Sequence, residues 1–348
     1  MGRRLRVISL FSGMGGMDLG LEKVGMKIAL QVDIDPLRCK TLRANRPRAR
    51  ILCENISKLG KMELLDAAGL SEGSVDLIVG GPSCQPFSRS NEGKRLGTKD
   101  PRGQLIFEFA RLIREIRPAA FIMENVHGLV SSNNGHDLRE LTRRFLKIRY
   151  KIAWRVLNAA DYGVPQKRRR FFLIGLENGK SPRFPDPTHS YRDSPREGLE
   201  PYVTTGEALA NLDDDIDYDG AETVGGKYGH LLNNIPPGMN YLFYTKRKNH
   251  KKPLFRWRSK FWPFLLKLDP SQPSNTIQAR PGPYVGPFHW RNRRLTITEI
   301  KRLQTIPDGR FVAGVRDPVY ASPAWRQIGE AVPPLLMERI GETLIETL

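Results

Sequence analysis

Asp76-Leu77-Ile78-Val79-Gly80-Gly81-Pro82-Ser83-Cys84-Gln85-Pro86-Phe87-Ser88 opens with a short apolar run, Val75–Val79, that stops at glycines and prolines. An unbroken apolar run bounded by turn residues predicts a strand buried on both faces. The prolines stiffen the chain that follows, so Cys84 is predicted to be held at the edge of a sheet rather than inside a core. A thiol presented this way is reactive only as a thiolate, which requires a nearby positive field or proton acceptor. Cys39 and Cys53 have no such frame and read as inert core thiols. With three cysteines, no CxxC pair and six scattered histidines, the chain shows neither a disulfide framework nor a structural zinc site. A reducing cytosol suits that usage.

The same texture repeats outward on both sides. Arg6–Leu10, Ile28–Val32, Ala119–Met123 and Phe171–Gly175 read as strands, and Met17–Val24 and Gln104–Ile116 as helices. Strand–helix alternation predicts an α/β fold with a mostly parallel sheet. Such sheets bind ligands beyond the carboxyl ends of their strands. Gly13, Asp33, Pro82 to Cys84 and Glu124 each follow a predicted strand, which gathers them along one edge. Phe11-Ser12-Gly13-Met14-Gly15-Gly16 is a glycine loop between strand and helix, but Asp18 stands at the third glycine position of a dinucleotide fingerprint. Asp33, 18 residues after Gly15, can accept hydrogen bonds from ribose hydroxyls. The pair points to an adenosine-containing cofactor without specifying a nicotinamide one. Asp35, before Pro36, reads as a helix cap.

Beyond Gly179 the texture changes. Lys180 to Pro201 is a Pro-, Ser- and Arg-rich linker, and an acidic run spans Asp213 to Asp217. Tyr241 to Trp262 holds eight Lys or Arg and seven aromatic residues. That mixture suits phosphate contacts and base stacking, or else a core segment with solvated lysines. Leu335–Leu348 reads as an amphipathic helix. The net charge of +19, from 56 Lys and Arg against 37 Asp and Glu, favours a polyanionic partner. Charge by itself reads no bases. No apolar run reaches 18 residues, so no membrane span is expected. The basic start runs straight into a strand and glycines, unlike a signal peptide. The expected location is cytoplasmic, at the nucleoid.

Pro82-Ser83-Cys84-Gln85-Pro86-Phe87-Ser88 resembles the catalytic loop of the DNA cytosine-5 methyltransferase family of bacterial or archaeal restriction-modification type. Further segments are similar to that family's motifs, in its order: Phe11 to Gly20, Asp100 to Leu105, Glu124-Asn125-Val126, Asn158 to Arg170, Arg294 to Asp308, and Gln327 to Pro333. Four positions depart from the pattern. Ser83 stands for Pro, Asn55 for Asp, Thr298 for Arg and Glu330 for Asn.

The resemblance implies a Rossmann-like S-adenosylmethionine domain over residues 1–190, completed by about 318–348, with a smaller, irregular target-recognition domain and hinge over 191–317. It makes Cys84 the nucleophile at carbon 6 of cytosine, Glu124 the group that protonates or hydrogen-bonds the ring nitrogen, and Arg170 the partner of the exocyclic oxygen. Arg168 and Asn125 support them. It assigns S-adenosylmethionine (product S-adenosylhomocysteine) to Phe11, Ser12, Gly13, Gly15, Gly16, Asp33, Ile34, Asn55, Ile56, Ser83, Leu105, Glu330 and Ala331. It assigns duplex DNA to Gln85, Ser88, Gln166, Arg168 and Thr276, with Gln85 to Gly97 as a mobile loop. No metal and no membrane are implied. A monomer is expected; a restriction endonuclease of the same site is a candidate partner whose presence the sequence does not show. An RNA cytosine-5 methyltransferase and an inactive DNA-binding homologue are the competing readings, with a nicotinamide oxidoreductase behind them.

Overall fold

The computed structural model describes residues 4–87, 96–177, 179–212 and 224–348. The chain forms two compact units: Met1–Asn158 with Arg169–Asp186 and Val332–Leu348, and Ala159–Arg168 with Pro187–Ala331.

The first unit is built on a seven-stranded sheet. In chain order its elements are β1 (Arg6–Leu10), α1 (Gly16–Lys23), β2 (Lys27–Asp33), α2 (Pro36–Asn45), β3 (Ile51–Cys53), α3 (Lys61–Ala68), β4 (Leu77–Gly80), α4 (Leu105–Ile116), β5 (Ala120–Val126), α5 (His136–Lys147), β6 (Lys151–Asn158) and β7 (Arg169–Leu176). The sheet order is β3-β2-β1-β4-β5-β7-β6. The first five strands are parallel, and β7 runs antiparallel between β5 and β6. From β1 the chain winds outward to β3 and returns to β4 on the other side. The loops after β1 and β4 therefore flank the point where the winding reverses, the place where open α/β sheets bind ligands.

Helices cover these strands, so they read as apolar runs rather than alternations. All four residues of β4 are buried. Phe121 on β5 stacks on Phe145 of α5, with ring centroids 4.3 Å apart, and meets Phe109 of α4 edge-on. α4 buries Ile106, Phe109, Ala110, Leu112, Ile113 and Ile116, the stripe of an amphipathic helix. The C-terminal helix Pro334–Thr347 packs on α1. A Cβ on Gly20 would lie 2.3 Å from the Pro334 carbonyl, so only glycine permits this approach. No described helix is long and apolar enough to cross a membrane.

The expected strand and helix positions are found, with one shift that matters. β5 continues through Val126, so Glu124 and Asn125 lie inside the strand rather than after it. Pairing with β7 carries it on, with Asn125 opposite Phe171 and Val126 opposite Arg170. Asp35 does cap α2, accepting from the Leu37 amide at 2.9 Å. α2, β3, α3, α5 and β6 have no counterpart among the expected elements. β3 is short and half-buried, and α2 buries only Cys39, Thr41 and Leu42, so neither carries a strong pattern.

The second unit has little regular structure. Two-residue strands pair Gln166–Lys167 with Ser274–Asn275 and His189–Ser190 with Glu200–Pro201. Its helices are Thr205–Leu209, Ile297–Leu303 and Pro323–Glu330. Leu231, Leu232, Ile235, Tyr241, Tyr244, Phe264, Leu265 and Phe288 form an aromatic-rich core. The boundaries differ from those expected. Residues 159–168 and 318–331 were expected with the catalytic body, but their contacts place them here. Gln166 accepts from the Ile277 amide at 3.1 Å and donates to the Leu303 carbonyl at 3.1 Å. Arg168 donates to the Gly329 carbonyl at 2.8 Å.

Candidate active site

Four loops and strand ends of the first unit make the site. β4 ends at Gly80, where an added Cβ would stand 2.9 Å from the Phe109 ring and 3.0 Å from the Leu10 carbonyl. The cysteine loop then runs along β5. A Cβ on Gly81 would lie 3.2 Å from Glu124 Oε2, so the backbone passes directly over that carboxylate. Asn125, fully buried, donates from its amide to the Pro82 carbonyl at 3.0 Å and accepts from the Val126 amide at 2.9 Å. Its side chain thus clamps the cysteine loop to the strand. The Phe87 amide donates to the Cys84 carbonyl at 3.1 Å, closing the turn, and Phe87 is buried beneath it. Cys84 itself is half-buried.

Glu124 accepts from Arg170 Nε at 3.1 Å, in a pair whose side chains are 11% and 14% exposed. Their positions follow from the antiparallel β5–β7 ladder, in which Arg170 lies opposite Val126. Arg170 also donates to the Arg169 carbonyl at 2.9 Å. The pair sets a guanidinium against a carboxylate at this corner of the sheet.

The other half of the site lies across the switch point. Phe11, Gly13 and Gly15 all take left-handed backbone conformations, with φ of 54°, 58° and 86°. A Phe in that region is strained, and such residues concentrate at ligand loops. Ser12 donates to the Ser9 carbonyl at 2.9 Å and accepts from the Val32 amide at 3.1 Å, pinning the loop to β2. The buried Asp33 accepts from the Gly13 amide at 2.8 Å and the Asp35 amide at 2.9 Å, with Arg38 at 3.5 Å. Ile34 beside it is 62% exposed, an apolar side chain left open. Asn55 accepts from the Ser57 amide at 3.0 Å and caps the turn Ile56–Lys58. Gly16 opens α1, Ile56 is buried, and Ser83 and Leu105 are half-buried. Asp18 faces away from this opening. It accepts from Gln31 at 2.5 Å with Arg46 at 3.7 Å, and its burial pushes its carboxyl above the usual range against the pull of Arg46.

Two anchoring groups carried no sequence signal beyond their neighbourhood. Arg102 is bound to Asp100 through Nε and Nη2, and its Nη1 donates to Gln85 at 2.5 Å. Asp137 is buried. Burial would raise its carboxyl, but hydrogen bonds from Ser132, Asn133 and Thr98 outweigh that and hold it below the usual range. The chain on both sides of residues 88–95 is thereby fastened, at Gln85 by Arg102 and at Thr98 by Asp137. Ser88 and most of the expected mobile loop lie outside the described residues, as does the acidic run 213–217.

Other expected residues lie in the second unit. Gln166 and Arg168 are completely buried in the second unit, bound to its backbone. In this structure the two side chains are held as framework of that unit, each satisfying backbone groups around it. Thr276 is half-buried and donates to the Lys167 carbonyl at 2.8 Å. Glu330 pairs with Arg326 at 2.9 Å, and the Ala331 amide caps the same helix, both within the second unit. Cys39 is buried, and burial, with Cys53 beside it, pushes its thiol up to about 12. Among the described residues no three His, Cys, Asp or Glu side chains group as metal ligands.

Residues 5–346 match the sequence model of the C-5 cytosine-specific DNA methylase family. The chain belongs to this family. It is 40% identical over its whole length to the Type II methyltransferase M.SacI of Streptomyces achromogenes, of which the match covers 94%. It is 32% identical to the Type II methyltransferase M1.HphI of Haemophilus parahaemolyticus, over 98% of this chain and 87% of that one. Among solved structures, a prophage-encoded DNA modification methyltransferase of E. coli aligns with a TM-score of 0.67 at 27% identity, covering 99% of both chains. The Spodoptera frugiperda DNMT2 has the same TM-score at 17% identity, over 98% and 99% of the two chains, a likeness of fold alone. As a family member the protein is a cytosine-5 DNA methyltransferase on an α/β methyltransferase fold, as the motif order implied.

Proposed function

We propose that this protein transfers the methyl group of S-adenosylmethionine to carbon 5 of a cytosine in a specific duplex DNA sequence, through a transient bond between Cys84 and carbon 6. The observation that carries the reading is the grouping of Cys84, Glu124 and Arg170 at one sheet edge, with the cysteine loop drawn across the Glu124 carboxylate.

Carbon 5 of cytosine is a poor nucleophile until carbon 6 is attacked. Cys84 thiolate adds at carbon 6, and the ring becomes an enamine with its nucleophilic position at carbon 5. Negative charge then gathers on the ring nitrogen and the exocyclic oxygen. Glu124 holds or delivers a proton at the nitrogen, and Arg170 donates to the oxygen. Asn125 keeps the cysteine loop against β5, so the thiol is positioned before the base arrives. Carbon 5 would take the methyl group, the cofactor's sulfur leaving as a neutral thioether; loss of the carbon-5 proton to water and expulsion of the Cys84 thiolate would then complete the turnover. Because carbon 6 is inaccessible inside a duplex, the base is extruded, which costs a few kcal/mol of unstacking.

The cofactor edge fits an adenosine sulfonium. A Cβ on Gly13 would meet nothing within 4 Å, the Asp33 carboxylate is held at the loop by the Gly13 and Asp35 amides where its remaining lone pairs would receive ribose hydroxyls, and the open Ile34 would offer an apolar face to the adenine. When bound, S-adenosylmethionine supplies the methyl group from a positively charged sulfur. The second unit is read as the target-recognition domain, with Thr276 toward a phosphate. The relatives are named Type II methyltransferases, which supports a protective role beside a restriction endonuclease of the same site. A monomer acting at the nucleoid is the simplest form.

Duplex DNA carrying 5-fluorocytosine, incubated with S-adenosylmethionine, should trap a covalent adduct that resists denaturation. The Cys84→Ser protein should trap none; an unchanged adduct would remove Cys84 from the mechanism. Tritium from the cofactor should enter DNA, and label found in RNA alone would sink the DNA assignment.

A further inference from the structure

The stretch from Tyr241 to Trp262 looks uniform in sequence, but the structure sorts its aromatic residues into two kinds. Tyr241 and Tyr244 are buried, Phe243 and Phe255 pack against them, and Trp257 is half-buried, with the Arg247 guanidinium 5.0 Å from its ring. Phe261 and Trp262, adjacent in sequence, are instead 73% and 54% exposed. Scattered apolar side chains on a surface need no explanation, but two large neighbouring rings on a fixed backbone do.

The backbone beneath them is tied down on both sides. The Tyr241 hydroxyl donates to the Lys260 carbonyl at 2.8 Å and accepts from the Lys260 amide at 3.2 Å. The buried Asn240 donates to the Trp262 carbonyl at 2.7 Å. The Phe264 amide donates to the Phe261 carbonyl at 2.9 Å, and Phe264 sits in the aromatic core. The two rings therefore project from a frame ordered before any partner arrives, which lowers the entropic cost of contact. In the same stretch of chain Lys246, Arg247, Lys248, Lys251, Lys252, Arg256, Arg258 and Lys260 are all exposed, and it contains no Asp or Glu. The charge selects a polyanion as occupant, and the rigid rings suit a partner with stackable or methyl-bearing faces. Duplex DNA supplies both.

We infer that Phe261 and Trp262 are specificity-determining residues: they make the apolar contact with base edges or an opened base step that selects the target, while the surrounding lysines and arginines hold phosphates. The inference rests on the reading of the protein as a DNA methyltransferase and names which side chains of that enzyme choose the sequence.

The test uses the full-length protein on a duplex library with randomised sequence, incubated with S-adenosylmethionine and read by bisulfite sequencing. Wild type should return a defined motif. Phe261→Ala, Trp262→Ala and the double variant should relax that motif at one or two positions. On the wild-type site they should lower kcat/KM by roughly 5- to 150-fold per lost base contact. The salt dependence of DNA binding should keep its slope. Phe261→Leu and Trp262→Phe should restore part of the selectivity. Lys251→Ala with Lys252→Ala should do the opposite, weakening all sequences alike and flattening the salt slope. S-adenosylmethionine affinity, measured by titration, should be unchanged throughout and shows that each variant is folded. A double variant that keeps the wild-type motif overturns the inference, whether its rate is preserved or falls equally on every sequence. A wild-type protein that labels no duplex at all overturns the functional reading itself, before any variant is made.

Discussion

The two units of this protein manage polarity in opposite ways. In the first, the sheet core is apolar, and buried charge lies at its margins: Glu124 meets Arg170 and Asp33 holds the glycine loop at strand ends, while Asp18 and Asp137 sit in the first turns of helices. In the second, ionic and polar groups are built into the interior. Arg293 forms a bidentate pair with Glu299 at 2.7 and 2.9 Å, His289 lies 3.6 Å away, and all three are buried. A parallel sheet satisfies its own backbone, so its interior can be made of side chains alone. A unit assembled from short turns cannot, and it uses buried side chains such as Gln166, Arg168 and Glu299 to satisfy backbone and each other. Substitutions of charged groups should therefore cost activity in the first unit and stability in the second.

The largest effect expected is on chemistry. Cys84→Ala should lower single-turnover methyl transfer by on the order of 10^4-fold or more, as loss of a covalent nucleophile does, with little change in the urea midpoint. Glu124→Gln should follow, with a loss of roughly 10^2- to 10^4-fold in the same assay. If either variant instead unfolds the protein, the contrast between the units fails at its first point.

In the second unit, Glu299→Ala leaves Arg293 buried without its carboxylate and should destabilise by about 3–5 kcal/mol in urea denaturation. The same cluster gives a pH dependence. Burial first, then Arg293 and Arg291, push the His289 imidazole down to about 3 from an ordinary 6.5. The folded state thus disfavours the protonated ring. Its contribution to stability is full above pH 6.5 and is lost as the pH falls from there towards 3. His289→Gln should flatten that part of the stability profile; a profile unchanged by the substitution would remove His289 as its source.

Smaller effects probe packing of the first unit. Gly20→Ala drives a methyl group into the Pro334 carbonyl and should cost about 1–3 kcal/mol by thermal or urea unfolding. Asp35→Ala removes the α2 cap and should cost about 1 kcal/mol, the smallest change in the series.

Much of the first unit was legible in advance. β1, β2 and β4 are buried apolar runs ending at turn residues, and the side chains that follow them are the ones the structure gathers. Glu124 was placed just past its strand and lies within it, because the ladder with β7 extends β5 by three residues, a long-range pairing that no local pattern encodes. Arg170 and Arg168 share one basic run, from which the resemblance preferred Arg170. Their surroundings differ: Arg170 reaches Glu124 from β7, while Arg168 donates to the backbone of the second unit. The aromatic stretch 241–262 read either as a binding surface or as a core segment with solvated lysines, and most of its rings do form a core.

The sequence by itself determined the class of fold and the family, and singled out one candidate thiol, because burial on both faces, tight turns and a motif order held over most of the chain are local signals that add up. Only the tertiary structure decided which of several like residues is buried and which is left open. Arg170 against Arg168, and Phe261 and Trp262 against Tyr241 and Tyr244, differ in what packs around them, and burial is a property of the folded chain rather than of any residue type.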